Sequence, residues 1–304
     1  FILERRVDVA VFGVDRRFGN TGKLNTQGLE LTLGYDVMQD GKVNWNTGIV
    51  LSTYKTVLDE FVIEEQVRAN LGAPGQNGTN MVRVAVGEEI GQIWGPVFQS
   101  VDSEGAPVFA DLNGDGMVIS QQDNALDDNA DFQELGNGIP DLEIGWTNQL
   151  TIGDWSINAF FRGAFGHSLV NTFRAFYEPV ISTQSSYNYV NSDKRVDGLT
   201  SAQFSSLYVE KADFFKLDNL TISRHFNFNS GSIRGLTVSL TGQNLFVITD
   251  YTGTDPEPAL VDYGAADNGG DINFSSPDVL SPGIDRRYNY FNSRTVTLGV
   301  KLNF

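Results

Sequence analysis

The last nine residues of the sequence, Val296-Thr-Leu-Gly-Val-Lys-Leu-Asn-Phe304, alternate apolar and polar without a break. Val296, Leu298, Val300, Leu302 and Phe304 share one parity; Thr297, Gly299, Lys301 and Asn303 share the other. Successive side chains of a strand point to opposite faces, so the stretch predicts a strand with one apolar and one polar face. Two settings suit such a strand. One is the closing strand of an outer-membrane β-barrel, whose outer face touches lipid. The other is an edge strand of a soluble β-sandwich.

Composition narrows the field. The chain has 304 residues, room for one large β domain or two smaller ones. No run approaches the ~18 apolar residues of a spanning helix. That leaves a barrel open, because barrel strands expose only every second residue to lipid. Aromatics make up 12%, with 21 Phe and 10 Tyr, a content that suits interfacial girdles and ligand-binding loops. A net charge of −17 argues against nucleic acid as a partner, which needs a basic footprint. Without cysteine, neither a disulfide framework nor a thiolate metal site can form. The sequence begins Phe1-Ile-Leu-Glu, inside what reads as a strand and without Met, so we expect a piece of a longer polypeptide.

Working back from the terminal strand, period-two segments recur at 2–12, 28–38, 43–54, 141–152, 155–165, 212–226 and 233–247. Within 212–226 the phase slips, since Phe215 and Leu217 share one parity and Leu220 and Ile222 the other; a bulge near Asp218-Asn219 would explain it. One short helix is expected near 168–177. Short turns of Gly, Asp, Asn and Ser type sit at 39–42, 153–154 and 227–232. They alternate strictly with long connections at 13–26, 55–140, 166–211 and 248–287. Connections beyond about 12–15 residues are uncommon in compact domains. Alternation places every long one at the same end of an up-and-down meander, an asymmetry proper to outer-membrane barrels and foreign to a sandwich. The barrel is therefore the expected fold, all-β and antiparallel, with its C-terminus on the periplasmic side and its long loops outside the cell.

Several stretches resemble the C-terminal part of the SusC/RagA-type TonB-dependent outer-membrane transporters. They are Asn25-Thr-Gln-Gly-Leu-Glu-Leu31, Ile90-Gly-Gln-Ile-Trp-Gly-Pro-Val-Phe98, Asp111-Leu-Asn-Gly-Asp-Gly116 and Gly136-Asn-Gly-Ile-Pro140. Tyr208-Val-Glu-Lys-Ala-Asp-Phe-Phe-Lys-Leu-Asp-Asn-Leu-Thr221 and Gly242-Gln-Asn-Leu-Phe246, with Tyr251-Thr-Gly and Asp255-Pro-Glu257, complete the set in family order. Lys211-Ala212 departs from the family's usual Asp-Gly pair. The resemblance implies a barrel of about 22 strands with a plugged lumen, of which this chain would supply about eight. It also implies a plug domain outside this chain, a SusD-like lipoprotein lid, and a TonB complex acting through the missing N-terminal part. Val300, Leu302 and Phe304 then read as the barrel's assembly signal. Val296, Leu298, Val300 and Leu302 are expected to face lipid, and Lys301 and Asn303 the lumen.

Few motifs carry chemistry. Asp111, Asn113 and Asp115 have the D-x-N-x-D-G spacing of a calcium loop, with Met117 offering a carbonyl. The bidentate Glu is missing; Gln122 takes its place and Asp123 follows. Ca2+ is thus a candidate ligand, against the alternative of an acidic turn held by Asx hydrogen bonds. His167 and His225 have no metal or catalytic motif around them, and no nucleotide loop or glycosidase pair stands out, so we expect neither an enzyme nor an organic cofactor. The loop aromatics Trp94, Phe98, Phe173, Phe176 and Tyr177 could stack on a glycan or peptide, or pack the loops together. Trp45, Trp146 and Trp155 are expected near periplasmic strand ends, in an interfacial girdle. Three functions follow: TonB-dependent import of a glycan or oligopeptide, a secreted calcium-stabilised β-sandwich that binds carbohydrate, and a passive porin.

Overall fold

The computed structural model describes residues 2–6, 16–20, 22–71, 79–179, 189–201, 203–258, 279–287, 289 and 291–304. Its strands in chain order are β1 (Ile2–Arg6), β2 (Arg16–Asn20), β3 (Gly22–Asp40), β4 (Val43–Phe61), β5 (Glu65–Asn70), β6 (Asn80–Ala85), β7 (Gln92–Gly95), β8 (Phe98–Val101) and β9 (Pro107–Phe109). There follow β10 (Gln133–Asn137), β11 (Leu142–Ile152), β12 (Trp155–Phe165), β13 (Ser168–Asn171), β14 (Val209–Lys211), β15 (Phe214–Asn227), β16 (Gly235–Thr249), β17 (Ile284–Asp285) and β18 (Thr295–Asn303). One short helix, α1, spans Thr172–Tyr177. No described helix is long and apolar enough to cross a membrane.

Seven strands form one antiparallel sheet in the order β18-β16-β15-β12-β11-β4-β3. Each hairpin turn is short where the sequence places Gly with Asp or Ser. Gly41 and Gly153 take positive φ, +36° and +55°, in the β3–β4 and β11–β12 turns, where a side chain would be strained. The three turns are tied to their neighbours: Gly153 N donates to Lys42 O, His225 N to Asp154 O, and Arg234 N to Asn303 O. All three long connections of the meander leave from the opposite edge.

Cross-strand register turns the alternation of each strand into faces of a wall. One row runs Leu33, Ile49, Trp146, Phe161, Leu217, Phe246. A lower row runs Met38, Trp45, Leu150, Ile157, Ile222, Leu240, Leu298. The opposite face carries Asp36, Asn46, Gln149, Asn158, Thr221, Thr241 and Thr297. Phase is kept by the expected bulge: the ladders skip Asp218 on both sides, and Asn244 opposite adopts a positive φ of 51°. The apolar face is not covered by a second sheet. Leu298 is 69% exposed and Val300 63%. Water would penalise such a band; acyl chains match it.

Above the wall the described parts of the long connections fold into a cap. It contains a four-stranded sheet, β10-β7-β6-β5, a three-stranded one, β14-β13-β17, and the hairpin β8–β9. Leu58, Met81, Val82, Val84, Ile93, Val170, Tyr208 and Leu280 form its buried core.

Some expectations change. The connection at 13–26 is largely strand among its described residues: β2 pairs with β1, and the start of β3 pairs with Thr56–Phe61 of β4. This part rises beyond the apolar band, so no lipid face marks it by alternation. Seven strands, not eight, share the sheet among the described residues, because β1 pairs with β2 alone. The apolar positions Val7, Val9 and Val11 lie outside the described residues. Trp146 sits in the middle of β11, stacked on Phe161 at 4.9 Å, and not at a strand end. The short helix occupies Thr172–Tyr177; Ser168–Asn171 before it is strand β13.

Candidate functional site

The cap is clamped by a buried charge network. Asn171 caps α1 by accepting from Arg174 N at 3.1 Å, which fixes the first turn. Arg174 then reaches Glu178 through two bonds of 2.6 and 3.1 Å and Glu210 at 2.9 Å. Its remaining donors reach the carbonyls of Leu207 and Lys194. Glu210, from β14, also accepts from Lys194 Nζ at 2.7 Å and from the Thr252 hydroxyl at 2.9 Å. Burial pushes the Glu210 carboxyl up, but the bonds from Lys194, Arg174 and Thr252 outweigh it and hold the group at about 2. Beside it Ala212 is fully buried against Leu169 and Tyr251.

A strap runs from the cap onto the polar face of the wall. Tyr251 donates its hydroxyl to Asp285 at 2.8 Å, and Thr254 N donates to the same carboxylate at 2.9 Å. Burial raises the pKa of Asp285 despite these bonds. Asp255 accepts from Glu257 N at 2.9 Å and from the Asn292 amide. Glu257 then grips the wall: Arg162 of β12 donates to both its oxygens, at 2.8 and 2.9 Å, and Lys216 of β15 donates at 2.7 Å. Burial pushes Glu257 up, yet Lys216 and Arg162 hold it below the usual carboxylate range. His167 Nε2 lies 3.1 Å from the carbonyl of Pro256, beneath the strap. His225 is a polar-face residue between Thr237 and Asn227.

Two cavities flank this arrangement, the first mainly polar and the second polar on one side and lined by Phe246 and Val247 on the other. One, of about 280 Å³, is lined by Tyr54, Lys55, Glu89, Glu134, Asn137 and Asp141 where β4 and β11 diverge. Burial, with the charges of Glu89 and Glu88, raises the Glu134 carboxyl. The other, of about 400 Å³, lies beside the strap between Lys216, Asn244, Tyr251, Asn292 and Arg294. Such surroundings suit ligands held by hydrogen bonds and charge.

The loop aromatics divide. Phe173, Phe176 and Tyr177 come together on α1, with ring centroids 4.8 Å apart for Phe173–Tyr177 and 4.6 Å for Phe176–Tyr177. Arg287 lies over Phe176 at 3.6 Å, and Phe173 is exposed. Trp94 and Phe98 lie elsewhere in the cap. Trp94 donates to Ala125 O and lies under Arg83, while Phe98 pairs with Phe109. In the acidic turn, Asp111 accepts from Gly114 N and Gly116 N, Asn113 from Asp115 N, and Asp115 from Met117 N. Asp123 is in the separate 3-10 turn Gln122–Asn124. Among the described residues no group of three or more His, Cys, Asp or Glu side chains is placed to hold a metal ion. Sequence reasoning singled out neither Arg174 and Glu210 nor Arg162, Lys216 and Glu257. For Glu210, Lys216 and Glu257 the signal was charge inside the motifs at 208–221 and 255–257; Arg162 and Arg174 lie outside both.

No family model matches the sequence. The chain is 26% identical to TonB-dependent receptor P3 of Formosa agariphila over 96% of this chain and 30% of the relative. It is 25% identical to TonB-dependent receptor P26 of the same organism, over the same shares. In structure it is similar to the RagAB peptide transporter, with a TM-score of 0.68 and 18% identity over 98% of this chain and 31% of that one. To the RagAB peptide importer in its closed-closed state it has a TM-score of 0.70 and 17% identity, over 100% of this chain and 32% of that one. The chain thus spans about 30% of the length of the curated relatives it matches. In sequence over nearly its whole length, and in fold, this chain resembles the β-barrel wall of the SusC/RagA-type TonB-dependent outer-membrane receptors.

Proposed function

We propose that this chain is part of the wall and most of the outer loops of a TonB-dependent importer, which carries a nutrient across the outer membrane without breaking a bond. The observation behind this reading is the two-faced wall: an apolar band on one side, a polar face on the other, and the described parts of the long connections folded into a cap at one end. The long loops then face the outside, and the short turns and Phe304 the periplasm. A SusD-like lipoprotein closes over the cap, and TonB acts through a plug outside this chain. An oligopeptide is the cargo favoured by likeness to the RagAB peptide importer; a glycan is the other class that the exposed aromatics of α1 suit.

Detergent dependence and partnership test it. The full-length protein should extract only with detergent and copurify with a surface lipoprotein. A monomer stable in plain buffer would instead favour the soluble calcium-stabilised sandwich. A detergent-dependent protein that takes up peptide without TonB energy would be a porin. We also propose that the turn at Asp111, Asn113, Asp115 and Met117 holds Ca2+ without Asp123, since its oxygens are hard donors at alternate positions. Melting curves of Asp115→Ala and wild type that stay identical throughout a calcium titration would refute this.

A further inference from the structure

Arg224 stands out on the wrong face. It lies in the outward row Asp40, Val43, Ile152, Trp155, Arg224, Val238, Val300. Its neighbours along β15 on that face are Ile222 and Phe226. It is exposed and has no acidic partner among the described residues. Asp40, the acid of the same row, is at the far end on β3. The guanidinium is instead held by two rings, 5.2 Å from the Trp155 centroid and 4.8 Å from that of Phe226.

Depth explains how the charge is tolerated. The row reaches the β11–β12 turn, since Ile152 and Trp155 pair directly across Gly153-Asp154. Trp155 and, one row up, Trp45 are both exposed there, in the manner of an interfacial belt. A cation at that level lies at the headgroups rather than among acyl chains, where it would be expelled. A guanidinium offers a planar fork of donors matched to two phosphate oxygens. Contact with two rings restricts the guanidinium, and the residue stays exposed.

We propose that Arg224, clamped between Trp155 and Phe226, binds the phosphate of a phospholipid headgroup in the leaflet at the short-turn end of the barrel wall. The proposal rests on the reading that these strands cross a membrane. It is tested on the full-length protein in mild detergent, by native mass spectrometry with added phosphatidylglycerol. Arg224→Gln should retain the lipid roughly fivefold less well than wild type, the effect of one interfacial cation. Arg224→Lys, which keeps the charge and loses the fork, should fall between. Inorganic phosphate should not displace the lipid. Equal retention by wild type and Arg224→Gln overturns the proposal, and so does full displacement by inorganic phosphate, which would make this a free-anion site. If Arg224→Gln fails to assemble, Trp155→Leu replaces it: the charge stays and the clamp is lost, and unchanged retention again overturns the proposal. Loss of lipid-specific binding in a variant that still needs detergent and still migrates as a heat-modifiable barrel leaves the membrane reading intact; a wild type that needs no detergent would remove both.

Discussion

The wall and the cap are made from the same chain under opposite rules. On the wall, large apolar side chains such as Leu29, Leu298 and Val300 stand in the open, and the interior-facing side is polar. In the cap, Leu58, Met81, Ile93 and Tyr208 are fully buried, and the charges inside it, such as Arg174, Glu210 and Asp285, are hydrogen-bonded. The difference fits two solvents. In the proposed importer the wall meets lipid on one side, so its stability rests on ladder hydrogen bonds and on the match of its outer face to acyl chains. The cap meets water, so it needs a core of its own, and it tolerates Arg174 and Glu210 because nearly every donor and acceptor has a partner.

Four perturbations break or sharpen this contrast. The largest effect is expected in the cap. Arg174→Ala leaves buried Glu178 without its cation and Glu210 with Lys194 alone, and should cost about 3 kcal/mol of local stability. Limited proteolysis and hydrogen exchange should show the loops around 171–211 opening while the wall strands stay protected; a uniform effect would deny that the two regions are separate. Next is Leu298→Arg, which should cost about 2–4 kcal/mol if the row lies within the membrane, against little for Thr297→Arg on the polar face. Heat-modifiable mobility in gels measures both. Equal tolerance of the two substitutions would mean that the outer face meets water.

Acid should act on the cap alone. The Glu210 carboxyl is held at about 2 in the folded protein, against an ordinary value of 4.5. A lowered folded-state value makes the contribution fully present above the ordinary value and lost as pH falls through the folded one. The cap should therefore loosen progressively below about pH 4.5, reported by Trp94 fluorescence, and Glu210→Gln should flatten that profile. The smallest effect is expected for Glu257→Gln, about 1 kcal/mol, because this carboxylate is partly exposed although Lys216 is not. Faster exchange confined to 251–257 would support its role as the clasp of the strap, and no change there would refute it.

Much of the wall was legible in the sequence because a strand's two faces can be read by parity. The slip between Leu217 and Leu220 announced the bulge at Asp218, and the turn glycines announced the hairpins. Where strands leave the lipid, parity loses its meaning, which is why β2 and the first residues of β3 read as loop. Trp146 was misplaced for a related reason: an aromatic ring suits both a membrane rim and a packed row, and only its stack on Phe161 decides.

The cap was nearly illegible. Arg174 and Glu210 are 36 residues apart in sequence and Arg162 and Glu257 are 95 apart, so no local pattern pairs them. What the sequence by itself determined is the alternation: which residues of each strand go together, and therefore a two-faced antiparallel sheet with short turns at one end and long connections at the other. What only the tertiary structure decided is which charges meet, because ion pairs between distant segments depend on how the long connections fold back over the wall. The same holds for Arg224, whose parity places it outside, but whose clamp between Trp155 and Phe226 exists only once β12 and β15 lie side by side.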